Sequence, residues 1–289
     1  GMLAQLLLAC HDMDLLMLTA DLPASLRVEA LLGTDRVFAE DLPALRPQLG
    51  QGVAAANMRA LLAGSPIIAS HAGGAPDSTG VVGGGTEACP YVQDAYSMRC
   101  APQVAGAARD TLTHARTVAG RELAAAIDNP VITVDGRVES NGNFHGAPVA
   151  YVLDFLAIPA ADVASMSERR TDRMLDAARS RGLPPFLADD PGLDSGHMIA
   201  QYTQAAMVSE LKRLAVPASV DSIPSSAMQE DHVSMGWSAA RKLRRSVDAL
   251  TRVLAIELLT AARALELRAP LRPGRATGAG VVIAGAAQL

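Results

Sequence analysis

Four long segments of helical pattern, from Pro102 to Ile127 and over 147–180, 195–214 and 232–267, are separated by only one convincing strand signal. In the last of them Val247, Leu250, Val253, Leu254, Leu258 and Leu259 recur at helical spacing, with arginines and a lysine on the other side. Helices of that length with little else between them bury their apolar stripes only against one another, which makes the class all-α and the architecture a long antiparallel helix bundle. Aromatic residues are 3% of the 289-residue chain, so the core must be built from Ala, Leu, Val, Ile and Met. Ala and Leu head the helix scale, and the same class follows.

The remaining segments fill in the organisation. Residues 3–20 put apolar side chains on nearly every face, as a helix buried from its first turn does. Residues 22–33 and 52–64 read as short helices, the second stopped by Gly64-Ser65-Pro66. The glycine-rich stretch 72–88 reads as a long flexible loop. VITVDGRVES reads as a hairpin turning at Asp135-Gly136. One helical unit is expected over 2–268, followed by an irregular or truncated tail over 269–289 that lacks helical periodicity.

Charge and cysteine content narrow the function classes. A net charge of -5 without a basic block gives no footing for nucleic acid or anionic membrane, so a small-molecule partner is expected. Cys10, Cys89 and Cys100 are an odd number without CxxC spacing, against a disulfide framework or a structural zinc site. The opening MLAQLLLAC lacks a basic lead, and no later apolar run approaches a membrane span of roughly 18 residues. A reduced, cytoplasmic protein is expected.

Three polar clusters interrupt the helical pattern. In VQDAYSMRC, Gln93, Tyr96 and Arg99 follow at intervals of three, which on a helical turn places them on one face. Amide, phenol and guanidinium together could orient a substrate, exchange a proton and clamp a carboxylate, although a solvated helix start has the same pattern. In SNGNFH, the asparagines around Gly142 suit a simple tight turn, but Phe144 there is one of four phenylalanines in the chain. In AMQEDHVSM, Glu230 and His232 are two apart and point to different sides of a helix, which disfavours a shared metal. Asp231 there suits a helix N-terminus. SERR at 167–170 and SELK at 209–212 read as ion-pair scaffolding.

Taken in order, VQDAYSMRCAPQVAGA, AIDNPV, NGNFHGAPVA, SERR, LPPFL, SGHMIAQYT, PASVDSIPSSAMQEDHVSMG and AIELLTAARALELR resemble the histidine ammonia-lyase family, within the aromatic amino acid ammonia-lyases, over its C-terminal half. The resemblance implies an all-helical fold of the fumarase/aspartase (L-aspartase-like) type and a homotetramer whose active sites are shared by three subunits. It implies non-oxidative elimination of ammonia from L-histidine to give trans-urocanate. It also implies a protein-derived electrophile, methylideneimidazolone, made from an Ala-Ser-Gly that lies upstream of the matched region; no such triplet occurs in this chain.

By motif match, Tyr96 and Glu230 are the catalytic candidates, and Gln93, Arg99, Asn143, Phe144 and Gln229 bind substrate. Arg99 pairs with the carboxylate, Tyr96 exchanges a proton near the amine, and Gln93 holds electrophile or substrate. Phe144 lines the pocket beside Asn143, while Glu230 faces an imidazole with Gln229 behind it. Three positions depart from the family pattern: Met228 and Leu211 stand where asparagine is usual, and His197 where phenylalanine is usual. A tyrosine or phenylalanine ammonia-lyase, an aminomutase, or an inactive helical oligomerisation remnant are the alternatives.

Overall fold

The computed structural model describes residues 1–71 and 93–286. The glycine-rich stretch and Cys89 lie outside the described residues. Five long helices form the body: α1 (Met2–Ala30), α6 (Ala101–Leu123), α7 (Ala147–Leu175), α8 (Met198–Leu214) and α9 (Gly236–Glu266). Shorter ones flank them: α2 (Asp41–Ala44), α3 (Leu49–Leu62), α4 (Pro66–His71), α5 (Tyr96–Arg99) and α10 (Arg275–Ala286). Prolines at the first turns of α6 and α7 sit where a missing N–H costs nothing. The hairpin forms as expected, β1 (Val131–Ile132) pairing antiparallel with β2 (Val138–Glu139), and Gly136 supplies its positive φ of 83°.

Consecutive long helices alternate in direction. Asp12 meets Arg244 and Arg27 meets Glu257, so α1 and α9 run parallel. Asp154 meets Lys242 and Arg170 meets Glu257, so α7 runs the same way. Arg109 meets Asp21 while Arg116 meets Asp14, which reverses α6, and contacts from His197 to Thr260 and Gln204 to Val253 reverse α8. The core lies between these helices, with Leu6, Met13, Leu153, Leu156, Leu243 and Leu250 all fully buried. SERR is scaffolding, as expected: the Arg170 guanidinium makes a two-bond clamp on Glu257, and Glu168 pairs with Arg169.

Three expectations are corrected. The separate helix over 22–33 does not exist, because α1 continues through Pro23 to Ala30. Proline costs an interior helix about 3 kcal/mol, but every residue from Pro23 to Ala30 is buried, and packing outweighs the lost hydrogen bond. The tail is not irregular over 275–286, where α10 docks with Thr277, Gly280 and Ala284 buried. No apolar periodicity announces α10; its start is held by tertiary contact, the buried Glu29 carboxylate accepting from the Gly274 N–H at 2.8 Å. Finally, α1 and α7 are each long and apolar enough to cross a membrane, with mean hydropathy 1.3 and 1.5 over 18 residues. The apolar character of α7 has another cause here, since α6, α8 and α9 pack around it.

Glu29 therefore matters more than its place in the sequence suggests. Glu29→Ala removes the buried carboxylate at the start of α10 and leaves the Gly274 N–H without its acceptor. The expected loss is about 1–2 kcal/mol, read as a lower urea midpoint, with amide protection in α10 falling before that of α9.

Candidate active site

The turn carrying the first cluster is fastened from three sides. Asp94 accepts the Thr34 N–H at 2.8 Å and an Arg181 N–H at 3.0 Å, and Arg170 donates to the Ser97 carbonyl at 3.1 Å. Met98 anchors the turn in a cluster with Leu26, Leu31 and Met174. Tyr96 and Arg99 share a face of α5, as the spacing predicts, whereas Gln93 precedes the helix and is exposed beside a cleft of about 330 Å³. The Arg99 guanidinium lies 4.5 Å from the Tyr96 ring centroid, a cation–π contact. Tyr96 is 70% exposed, and the Arg99 Nε is buried with no hydrogen-bond partner among the described residues. A guanidinium with an unspent N–H beside an exposed phenol suits a carboxylate ligand.

The second cluster is set by asparagines rather than by packing. The Asn129 side chain accepts from the Asn141 N–H at 2.9 Å, and Asn141 donates to the Asp128 carbonyl at 3.0 Å. Asn143 Nδ2 reaches the Ala126 carbonyl at 3.2 Å. The turn reading of SNGN thus holds for Asn141, and it leaves Phe144 presented outward, 57% exposed.

The third cluster lies on a strained loop. Ser226, Ala227 and Met228 have φ of 48°, 53° and 70°, three successive non-glycine residues in the left-handed region. Each costs about 1–2 kcal/mol, and such strain persists only where surroundings overdetermine it. An antiparallel bridge between Ser225 and Glu230 closes the loop, and the Ser225 hydroxyl donates to Glu230 Oε2 at 2.6 Å. Gln229 and Glu230 are exposed, with Glu230 Oε1 turned free of that bond. Asp231 and His232 do not begin the last helix, which starts at Gly236; the loop continues because the Val233 N–H is taken by Ser222 Oγ. Neither the strain nor the partner of His232 is visible in residue spacing.

These clusters sit at opposite ends of the bundle. Arg170, which holds Ser97, lies 23 residues along α7 from Ala147, where the Phe144 loop joins. At 1.5 Å per residue that is about 34 Å. Met2 approaches both Gly146 and Gly236, so the Glu230 loop is at the Phe144 end. Within one chain, the Tyr96–Arg99 pair cannot touch the same small molecule as Phe144 and Glu230.

A family model for aromatic amino acid lyases matches residues 1–284. The chain belongs to the aromatic amino acid lyase family. Its similarity to the histidine ammonia-lyase of Streptomyces avermitilis is 67% identity over 96% of this chain and 52% of that protein. Among solved structures it is similar to the histidine ammonia-lyase of Trypanosoma cruzi (TM-score 0.84, 37% identity, 98% of this chain, 50% of that one). The tyrosine aminomutase of Streptomyces globisporus is also similar (TM-score 0.87, 35% identity, 96% and 55%). The chain spans about half the length of the curated relatives it matches.

The three departures from the expected lyase pattern acquire physical readings. Leu211 is fully buried in the main core, so it replaces a polar residue by packing. Met228 has a left-handed backbone, which asparagine adopts more readily than methionine, so the position answers first to conformation. His197 is half-buried, with Nδ1 3.3 Å from the Thr260 hydroxyl; burial and then Arg263 hold its pKa below the usual value.

Proposed function

We propose that this chain forms one half of a histidine ammonia-lyase that eliminates ammonia from L-histidine to give trans-urocanate in the cytoplasm. The observation carrying this is the 67% identity to a histidine ammonia-lyase over 96% of the chain. Since Tyr96 and Glu230 lie at opposite ends of one chain, the working site is composite. A homotetramer, in which one copy presents Tyr96 and Arg99 to the Phe144 and Glu230 of others, meets that requirement.

A methylideneimidazolone must come from a segment outside this chain, which has no Ala-Ser-Gly. It is a neutral ring with a carbonyl oxygen, and the exposed Gln93 amide beside its cleft fits such a group in kind. Once bound, the group supplies the electrophile that draws off the amino group. Arg99 clamps the substrate carboxylate through its unspent N–H and so orients Cα and Cβ. Tyr96, in contact with Arg99, holds or moves a proton at its phenolic oxygen near the amine. Phe144 covers the ring face and excludes water. Glu230 accepts from the imidazole through the oxygen that Ser225 leaves open, with Gln229 and Asn143 beside it.

The composite site gives a direct test. Supplied with the complementary half, Tyr96→Phe and Glu230→Gln chains are each expected to lose at least 100-fold in urocanate formation, on the order of a catalytic proton-transfer group. Mixed before assembly, the two inactive chains should recover a substantial fraction of activity, because some sites draw both intact residues from different copies. A mixture as inactive as its components would show that the two residues do not serve one shared site.

A further inference from the structure

His145 and His232 face each other across the two loops that carry Phe144 and Glu230. His145 Nε2 and His232 Nδ1 are 3.2 Å apart, the ring centroids are 5.3 Å apart, and the planes differ by 25°. A centroid separation that exceeds the N···N distance by nearly two ring radii means that the rings meet edge to edge. Lone pair and N–H then point at each other, which is the geometry of an imidazole–imidazole hydrogen bond. A metal chelate needs two lone pairs converging on a third point, and this arrangement does not offer that.

We infer that this histidine pair is a specificity strut that sets the spacing of Glu230 from Phe144, and so fits the site to an imidazole side chain. The inference rests on the histidine reading above. Its physical basis is the loop around Glu230, whose other ties run within it or back to the bundle: Ser225 to Glu230, Ser222 to Val233, and Ser219 to Asp154. Among the described residues, His145–His232 is the one hydrogen bond crossing from 126–146 to 219–235. Glu230 is two residues from His232, Phe144 adjoins His145, and the strained left-handed run at 226–228 persists only where contacts from outside hold the loop in place. His145 and His232 are thus positioning residues that act through Phe144 and Glu230.

The test has two arms. In this chain alone, side-chain 15N NMR should show one N–H coupled across to the facing ring nitrogen; no coupling overturns the strut. In the enzyme assembled with the complementary half, His145→Ala or His232→Ala should each raise KM for histidine about five- to tenfold, with kcat within about twofold. The double alanine variant should be no worse than either single one. His145→Gln and His232→Asn, which keep a donor or acceptor at the bonded positions, should restore KM. Additive losses, a fall in kcat alone, or Gln and Asn variants as impaired as alanine each overturn the role. Wild-type enzyme that fails to turn over histidine overturns the functional reading, and this role with it, while a missing coupling overturns the strut alone.

Discussion

Replacing Glu257 with leucine is expected to destabilise the chain by about 3–5 kcal/mol, among the largest single effects available in this fold. Glu257 is fully buried and neutralises two arginines at once. Arg170 clamps it through Nε and Nη2, and Arg27 lies 3.7 Å away. Removing the carboxylate strands two guanidinium groups in the bundle centre. The damage reaches the candidate site as well, because Arg170 also holds the Ser97 carbonyl between Tyr96 and Arg99. Urea unfolding measures the first effect, and loss of histidine binding in the assembled enzyme measures the second.

The neighbouring arginine predicts a result of opposite sign. Arg27 is fully buried, none of its three guanidinium nitrogens has a hydrogen-bond partner among the described residues, and burial pushes its pKa down to about 9 despite Glu257. A cation whose pKa is lowered by folding opposes folding at neutral pH, and that penalty fades only as the pH rises through 9. Arg27→Met should therefore raise stability by about 1–3 kcal/mol, since Arg170 still satisfies Glu257. A stability loss on Arg27→Met equal to that of Glu257→Leu would mean that Arg27 is an equal partner in the pair.

This cluster also marks the boundary of what residue patterns disclose. SERR reads as ion-pair scaffolding, and it is, but its partner Glu257 sits 87 residues on in an ordinary helical stretch. The helices of the body were legible because apolar spacing along each one reports the buried face directly. The continuity of α1 through Pro23 and the docking of α10 were not, since both depend on contacts made by distant segments. At the site, Tyr96 and Arg99 share a face as their spacing requires. Their distance from Phe144 and Glu230, and the facing of His145 by His232, arise only when α7 and α9 lie parallel.

Gly106→Ala carries the same lesson into a second large prediction. Alanine normally gains about 1 kcal/mol over glycine inside a helix, and Gly120→Ala in the same helix should show that gain, because nothing lies within 4 Å of the added carbon. At Gly106 the added carbon would fall 2.3 Å from the Gln51 nitrogen and 2.5 Å from its Cα, both backbone. The reciprocal position is as tight, a Gly50 Cβ falling 2.2 Å from the Gly106 carbonyl oxygen. No rotamer relieves backbone against backbone, so α3 and α6 must separate. That separation strains the bond from the Gly50 N–H to Asp110, now 2.9 Å, which caps the start of α3. Overpacking of this kind costs about 1–3 kcal/mol, occasionally more, and the lost cap adds about 1 kcal/mol. Gly106→Ala is thus expected to lower stability by about 2–4 kcal/mol while Gly120→Ala raises it. Because α6 follows directly from the turn bearing Tyr96 and Arg99, the same variant should also weaken carboxylate binding there. Equal urea midpoints for the two variants would be incompatible with the close crossing of α3 and α6.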